Sequence, residues 1–484
     1  MTVQAVLEEL RQRPGTGEQI PLINPATEEQ VGEFTDGGVE AVNDAVARAK
    51  ASFESGVWHN TPGNERAKVL WRAADLIDEN ADLLAELDSF DTGMPYSQAR
   101  MIMGTSAESF RYFAGWATKL NGIAHDVQQT GGIAGAFSNM HGYTLKEPYG
   151  VVGLIFPWNG PVFNACTKLA PALAAGCSTV VKPAEDTPLS AVLLNNILTQ
   201  AGVPDGVVNL VTGYGHTVGA AITEHPDVEK VAFTGSTEVG KRIVQAAAGN
   251  LKRVSLELGG KSPVLIYDDA DLDTAIMMAA MGIFIHSGQG CICGSRIFVH
   301  RNVYERVLEG IATIANSVKL GGPGEDDVLI GPLINQKQLN RVVGFIDEGK
   351  KDGVEVVAGG HRLDRPGYFV HPTVLTDVGA EMRLFQQEIF GPVVPVIPFD
   401  DDDEVVALAN NSDYGLAATV WTKDISRAHR LAKRLESGTV TLNCQMVFDH
   451  SMPFGGYKQS GWGYEWGRAG IESYLQTKTV YAQL

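Results

Sequence analysis

The sequence predicts an α/β protein with two parallel-sheet units and a small β element outside both. Three observations carry this expectation. From Gly150 onward, short apolar, β-branched runs alternate with helical stretches. The alternation starts afresh after about residue 259. Two segments, 130–144 and 467–484, fit neither series.

In the first series, residues 151–156 form a continuous apolar run that stops at Pro157, as a strand buried on both faces would. Residues 177–182 form a second, centred on Val180 and Val181. Asp186-Thr187-Pro188 then reads as a helix start, a polar N-cap with proline in the first turn. Gly202, with Pro204 beyond it, reads as that helix's end. Residues 207–211, 231–233 and 254–256 are three further strands with helices between. Such alternation predicts a doubly wound parallel sheet with right-handed crossovers.

The second series pairs a strand at 263–267 with a helix at 271–281, and a strand at 297–300 with a helix at 304–318. Strands at 417–421 and 439–442 flank a helix at 425–435. Residues 130–144 are Gly-rich with weak alternation, which suggests a protruding hairpin. Residues 467–484 read as a β-like tail carrying Thr477, Thr479 and Val480. Strands outside a unit's own sheet commonly pair with another subunit, so a homodimer or homotetramer is expected. The four acids at 400–403 read as a solvated turn.

Composition excludes several classes. A chain of 484 residues is long enough for two or three domains and a large core. Its 57 acidic and 38 basic side chains leave a formal charge of -19. Nucleic-acid phosphates and anionic membrane surfaces are therefore disfavoured partners. The five cysteines are odd in number and irregular in spacing, which predicts free thiols in a reducing compartment. Cys291 and Cys293 form C-x-C without a second pair, so no zinc site is expected. Glu8 and Glu9 interrupt what a signal peptide would keep apolar. The longest apolar run, 275–285, is about half of a bilayer span. A cytoplasmic protein is expected.

Four local features can carry chemistry, and each also has an ordinary reading. Gly288-Gln289-Gly290-Cys291-Ile292-Cys293-Gly294-Ser295-Arg296 sets a cysteine in a Gly-rich turn. A lone cysteine is usually a small buried residue, but here backbone N–H groups can approach the sulfur and an oxyanion bonded to it. Val254-Ser255-Leu256-Glu257-Leu258-Gly259-Gly260-Lys261 ends a strand on a glutamate, a turn residue or a base at the ligand-binding end of a parallel sheet. Phe156-Pro157-Trp158-Asn159 offers Asn159 as a helix cap or as an oxyanion donor. Phe233-Thr234-Gly235-Ser236-Thr237-Glu238-Val239-Gly240 links a strand to a helix N-terminus, where phosphates bind, although it is not G-x-G-x-x-G.

In this order, and with Ile23-Asn24-Pro25-Ala26-Thr27, Lys182-Pro183-Ala184-Glu185, Glu388-Ile389-Phe390-Gly391-Pro392 and Pro453-Phe454-Gly455-Gly456-Tyr457-Lys458, these segments resemble the aldehyde dehydrogenase superfamily of the non-acylating type. The resemblance runs from about residue 23 to about residue 481. It implies a Rossmann-like NAD-binding domain (1–125 and 146–258), an α/β catalytic domain (259–459) and an oligomerisation element (126–145 and 460–484). It implies that Cys291 is the nucleophile, Glu257 the general base, and Asn159 with the Cys291 N–H the oxyanion hole, with Lys168 supporting Asn159 or a proton path. Lys182 and Glu185 would hold the adenosine ribose, Ser236 the pyrophosphate and Glu388 the nicotinamide ribose beside Phe390. Phe156, Trp158, Gly215, Gly235 and Gln338 complete the implied cofactor set. Glu185 favours NAD over NADP, because a carboxylate accepts from a ribose 2′-OH and repels a 2′-phosphate. The implied reaction is oxidation of an aldehyde to its acid through a Cys291 thioester.

The departures concern substrate. Gly160 and Thr167 stand where aromatic residues are common in the resembled family. A wide, mainly apolar tunnel is therefore expected, lined by Gly160, Phe163, Asn164, Thr167, Ile285, Gly290, Ile292, Met446 and Phe448, without a lysine or arginine. That lining suits a bulky hydrophobic aldehyde, aromatic or terpenoid-like. Cys293 stands where alanine is common and is read as inert; Tyr464 stands where arginine usually precedes Glu465. The alternatives are a CoA-acylating relative, which generally lacks the base matched by Glu257, and an inactive structural relative, which tends to lose the chemical residues retained here.

Overall fold

The computed structural model describes residues 2–126 and 140–483. Most of the expected Gly-rich hairpin, residues 130–139, lies outside them.

The first series forms a six-stranded sheet. Its order is Gly461–Trp462, Arg253–Glu257, Lys230–Thr234, Val151–Ile155, Ser178–Lys182 and Val208–Leu210. All neighbours are parallel except the Gly461–Trp462 pair, which returns antiparallel along Glu257 and Leu256. Alternate side chains enter two cores, as strand pleating requires. Val152, Leu154, Val181 and Ala232 face one core with the helices Gly63–Glu79, Tyr96–Ala114 and Pro161–Ala175. Val151, Ile155, Val180, Val231 and Phe233 face the other, with Gly38–Ser55 and Thr237–Ala247. Burial on both faces explains the unbroken apolar runs in the sequence.

The chain leaves Val151–Ile155 toward Val208–Leu210, then returns to Lys230–Thr234 on the opposite side. The carboxyl ends of these two neighbours mark a topological switch point, where doubly wound sheets open a crevice. Phe156–Asn159 and Gly235–Ser236 leave the sheet there.

The second series forms a seven-stranded sheet in the order Glu355–Ala358, Thr373–Thr376, Val393–Phe399, Arg296–His300, Pro263–Ile266, Ala417–Trp421 and Thr439–Leu442. Only the first pair is antiparallel. Its first three strands escaped the sequence reading. Val393–Phe399 carries Pro395 and Pro398, which argue against a central strand, yet it sits between two parallel neighbours. A third sheet joins Leu475–Gln483, Met140–Pro148 and Ala124–Asp126, all antiparallel. The predicted β tail is thus a strand only from Leu475; Gly467–Glu472 is a short helix. The expected acidic turn is a helix start instead. Asp401 accepts from the Asp403 and Glu404 N–H groups, while Asp400 and Asp403 pair with Arg301 and Arg434.

The expected local cap at Asp186 is also replaced. The helix Leu189–Ala201 is capped from afar: the Leu189 N–H donates to the Asp91 carboxylate at 3.0 Å. Asp186 instead accepts from the Asn335 side chain at 3.3 Å. One turn earlier on the same helix, Ala81–Thr92, Asp88 accepts from the Val162 N–H at 3.4 Å, at the start of Pro161–Ala175. Both acids are buried, and burial raises both, Asp88 to about 7 and Asp91 well above the ordinary range. An acid raised by folding stabilises below its unfolded pKa, and that contribution is lost as pH rises through its folded value. Stability should therefore decline as pH rises through about 7. Asp88→Asn keeps an acceptor for Val162 without an ionisable group. Its Tm should fall less than that of the wild type between about pH 6 and about pH 9; parallel declines in the two proteins would refute this account.

Candidate active site

Glu257 ends the outermost parallel strand of the first sheet, and Pro263 begins the second sheet after five intervening residues. The crossing segment, 258–262, is where separate motifs meet. A Cβ added at Gly259 would lie 2.3 Å from Glu388 Oε2, and one at Gly260 would lie 2.4 Å from the Cys291 carbonyl oxygen. The Gly260 N–H donates to Glu388 Oε1 at 2.9 Å. Two glycines without side chains thus let the cysteine loop and the Glu388 loop close on one point. Burial lifts Glu388 to about 7, against its bond from Gly260 and the charges of Arg341 and Lys261. A small space lies beside it, lined in part by Gly260, Gly290, Cys293, Glu388 and Phe390.

The cysteine loop leaves the helix Leu272–Phe284 through three consecutive left-handed residues, His286, Ser287 and Gly288 (φ 51°, 56° and 69°). Such backbone persists only where its surroundings enforce it. Gln98 accepts from the His286 N–H at 3.2 Å, and Ser287 Oγ donates to the Gly331 carbonyl at 2.6 Å. The fully buried Gln289 side chain accepts from the Ile334 N–H at 2.9 Å and donates to the His286 carbonyl at 3.2 Å. The Gln289 carbonyl accepts from Asn159 Nδ2 at 2.8 Å. Asn159 is therefore tied to the cysteine loop, whereas Gly160 (φ 159°) stands at the N-cap of Pro161–Ala175. Cys291 is half-buried, and burial, then Glu388, Cys293 and Glu257, push its thiol well above the usual range. Cys293 is buried against Gly290, and its thiol rises to about 12 for the same first reason.

Glu257 is only 4% exposed, and neither carboxylate oxygen has a hydrogen-bond partner among the described residues. Burial raises its pKa well above the usual range; Glu465 adds repulsion, and Lys168 opposes both. Fully buried Lys168 pairs with Glu465 and donates to Thr234 Oγ1 at 2.5 Å. Glu465 is the residue the sequence reading missed. The Tyr464–Glu465 pair drew notice only for Tyr464, although a lone acid beside the Gly461–Trp462 strand was the available signal. A buried, unpartnered carboxylate near a thiol can take a proton that a solvated one would not hold.

The crevice at the switch point gathers the expected cofactor residues. Lys182 donates to Glu185 at 3.2 Å and to the Pro183 carbonyl at 2.7 Å. Burial lowers Lys182; Glu185 stays below the usual carboxylate range because the Lys182 charge and nearby N–H groups outweigh its burial. Ser236 caps Thr237–Ala247 and is exposed. Gly235 donates to the Glu257 carbonyl at 3.0 Å, and a Cβ there would meet the Phe233 ring at 2.5 Å. Gly215 is exposed at the start of the turn Gly215–Gly219. Phe156 is buried, and Trp158 meets Phe390 edge-on at 5.3 Å. Gln338 donates to the Phe390 carbonyl at 2.7 Å and holds that loop, in which Phe390 is left-handed (φ 59°).

The expected tunnel residues divide. Ile285, Gly290 and Ile292 are partly exposed around Cys291, Met446 is partly exposed, and Phe448 is exposed. Asn164 donates to the Gly160 carbonyl at 2.9 Å. Thr167 is a correction: it is 1% exposed, and its hydroxyl donates to the Asn164 carbonyl at 3.0 Å, so it lines no open space. Aromatic mass arrives instead from Trp466, which no sequence feature singled out. Its ring meets Phe163 at 5.9 Å, Phe448 at 5.8 Å and Phe454 at 5.0 Å. Trp466 has φ 59° and ψ 175°, backbone that costs about 1–3 kcal/mol outside glycine. Phe163, Phe448 and Trp466 thus form one aromatic cluster.

The comparisons agree with this geometry. The aldehyde dehydrogenase family model matches residues 12–480. Aldehyde dehydrogenase 1 of Tanacetum cinerariifolium is 44% identical over 96% of this chain and 92% of its own. Aldehyde dehydrogenase 1A1 of Oryctolagus cuniculus is 43% identical over 97% and 93%. Among solved structures, the NAD+ complex of aldehyde dehydrogenase from Bacillus cereus is 44% identical, with a TM-score of 0.95, over 100% of this chain and 98% of that one. Betaine aldehyde dehydrogenase of Staphylococcus aureus with NAD+ is 37% identical, with a TM-score of 0.95, over 99% and 96%. A thiol, a tethered amide and an unpartnered carboxylate joined across two sheets, on a chain alike from end to end, belong together: this protein is a member of the aldehyde dehydrogenase family.

Proposed function

We propose that this chain oxidises a bulky, apolar aldehyde to its carboxylic acid through a thioester on Cys291, with NAD as the hydride acceptor. The observation that carries the reading is the convergence of Cys291, Asn159 and the unpartnered Glu257 at the crossing between the two sheets. Cys291 attacks the carbonyl carbon. Asn159, held by Gln289, presents its second side-chain N–H to the oxyanion, with the Cys291 backbone N–H beside it. NAD, when bound, accepts the hydride that leaves the tetrahedral carbon. Glu257 then takes a proton from water, and the hydroxide formed opens the thioester and frees Cys291. Lys168 and Glu465, paired behind Glu257, are the proposed path for that proton.

The cofactor residues fit the dinucleotide. The exposed helix start at Ser236 suits a pyrophosphate. Glu185, held ionised, suits a free ribose 2′-OH and disfavours a phosphate there. Glu388 and Phe390 bound the space beside Cys293 and would hold the nicotinamide end. The first sheet with its helices would form the NAD-binding domain and the second the catalytic domain. The Leu475–Gln483 edge strand and the exposed Tyr143, Leu145 and Tyr481 make the third sheet the proposed contact between subunits of a homodimer or homotetramer. The Phe163–Phe448–Trp466 wall favours aromatic or terpenoid-like aldehydes.

Three measurements test this reading. With NAD and a panel of aliphatic, aromatic, terpenoid, semialdehyde and amino-aldehyde substrates, nicotinamide reduction should be fastest with bulky apolar aldehydes and absent in Cys291→Ala. A preference for semialdehyde acids or charged amino aldehydes would overturn the substrate class, and dependence on added CoA the hydrolytic step. Glu257→Gln should keep a first-turnover burst of reduction but lose about 10²-fold or more in steady-state rate; full steady-state activity would remove Glu257 as the base. Because Cys291 and Glu257 are both raised, their ionised forms gain with pH. Wild-type kcat/KM should accordingly climb from neutral into alkaline pH, and a flat profile there would contradict the assignment.

A further inference from the structure

The short segment 331–338 bonds to three separate parts of the site. The Gly331 carbonyl accepts from Ser287 Oγ at 2.6 Å, and the Ile334 N–H donates to the Gln289 side chain at 2.9 Å, so two anchors of the cysteine loop lie here. Gln338 Nε2 donates to the Ile389 and Phe390 carbonyls at 3.0 and 2.7 Å and holds the loop that carries Glu388. Between these anchors stands Asn335, whose amide is engaged at both of its atoms. Oδ1 accepts from the Gln338 N–H at 2.9 Å and caps the helix Gln336–Lys351. Nδ2 donates to Asp186 Oδ1 at 3.3 Å.

Asp186 belongs to the first sheet's side of the molecule. It directly follows Glu185 and lies four residues beyond the strand Ser178–Lys182, every residue of which is buried. Because Asp91 caps the helix after it, Asp186 is left for another partner, and among the described residues Asn335 is the only one its carboxylate has. Asn335 in turn is fixed to the second sheet's core, since Leu339, Val342, Phe345 and Ile346 of its helix are buried there. Asp186 and Asn335 are both half-buried, so water competes only in part for their bond. One hydrogen bond thus ties two packed elements together. On one side of it lie Lys182 and Glu185, and on the other Gln338 with the Glu388–Phe390 loop.

We propose that Asp186 and Asn335 are positioning residues that form a clasp between the two ends of the cofactor site: their bond fixes the span from the adenosine-ribose segment to the nicotinamide loop. The inference rests on the reading that Glu185 holds the adenosine ribose and Glu388 the nicotinamide ribose. A ligand held at two points gains from the second only when the two stand at the span it can reach. The clasp touches neither ribose group; it sets how far apart the groups that do so are held. Through Ile334 the same segment also holds Gln289, whose carbonyl accepts from Asn159 at 2.8 Å. The oxyanion donor is therefore placed from the same joint as the nicotinamide loop. Cutting the clasp should weaken the whole dinucleotide and leave its adenosine fragment bound as before.

The test measures binding of AMP and of NAD by calorimetry to the full-length protein and its variants. Asn335→Ser keeps a helix cap but is too short to reach Asp186, and Asp186→Ala cuts the same bond from the other side and serves if the first variant fails to fold. Each should leave the AMP Kd within about twofold and raise the NAD Kd about tenfold. Asn335→Asp sets two carboxylates against each other and should weaken NAD as well. Adding Asp186→Asn to it reverses donor and acceptor, and should bring the NAD Kd back to within about threefold of the wild type. NAD bound as tightly by the cut variants as by the wild type would overturn the proposal. So would an equal loss for AMP and NAD, the mark of a merely structural role, or a reversed pair that restores nothing. Glu185→Ala separates the two levels, since it should weaken AMP and NAD together. If it weakens neither, the placement of the ribose and this inference fall together; if it weakens both while the cut variants bind NAD normally, this inference alone falls.

Discussion

Everything at this site hangs on the absence of two side chains. Gly259 and Gly260 carry the chain from one sheet to the other, and the Glu388 carboxylate and the Cys291 carbonyl come to rest where their β-carbons would stand. A bond from the Gly260 N–H to Glu388 closes the contact. The reach from the cysteine to the base and to the far wall of the crevice is set there by backbone, which tolerates far less drift than side chains on a surface. The left-handed run at His286–Gly288 belongs to the same constraint. It turns the chain sharply enough for Cys291 to approach Gly260, and Gln98, Gly331 and Ile334 anchor the strained backbone through hydrogen bonds.

Burial is the second organising force, because it shifts several of the titratable groups in the region. Glu257, Glu388 and Cys291 all shift toward their neutral forms, with burial the first cause in each. Lys182 and Lys230 shift toward theirs for the same reason. The exception is Glu185, which keeps its charge beside Lys182. Glu257 and Glu388 held toward neutral, and Glu185 held ionised, give the two ends of the region different electrostatics.

Much of this was legible in the residues. Strands at 417–421 and 439–442 appear within the limits the pattern predicted, and those of the first sheet shift by a residue or so; at 151–155 and 178–182 burial on both faces writes itself as apolar runs. Other features were not legible. Pro395 and Pro398 hid a central strand, because proline's cost depends on which N–H groups the neighbouring strands require. Asp91 replaced Asp186 as a helix cap from nearly a hundred residues away. Trp466 packs against Phe163 and Phe448 from the far end of the chain. Each is a contact between residues far apart in the chain, on which local propensity is silent.

The sequence by itself determined the alternating elements, the residues capable of chemistry and the family they resemble, since periodicity, motif spacing and residue type are properties of the chain. Only the tertiary structure decided that Glu257 lies buried with both oxygens unpartnered among the described residues, that Lys168 is paired with Glu465, and that Trp466 packs against Phe163. The physical reason is the same in each case. Desolvation, charge pairing and packing depend on what surrounds a group in space, and those surroundings are assembled from segments that the chain order keeps apart.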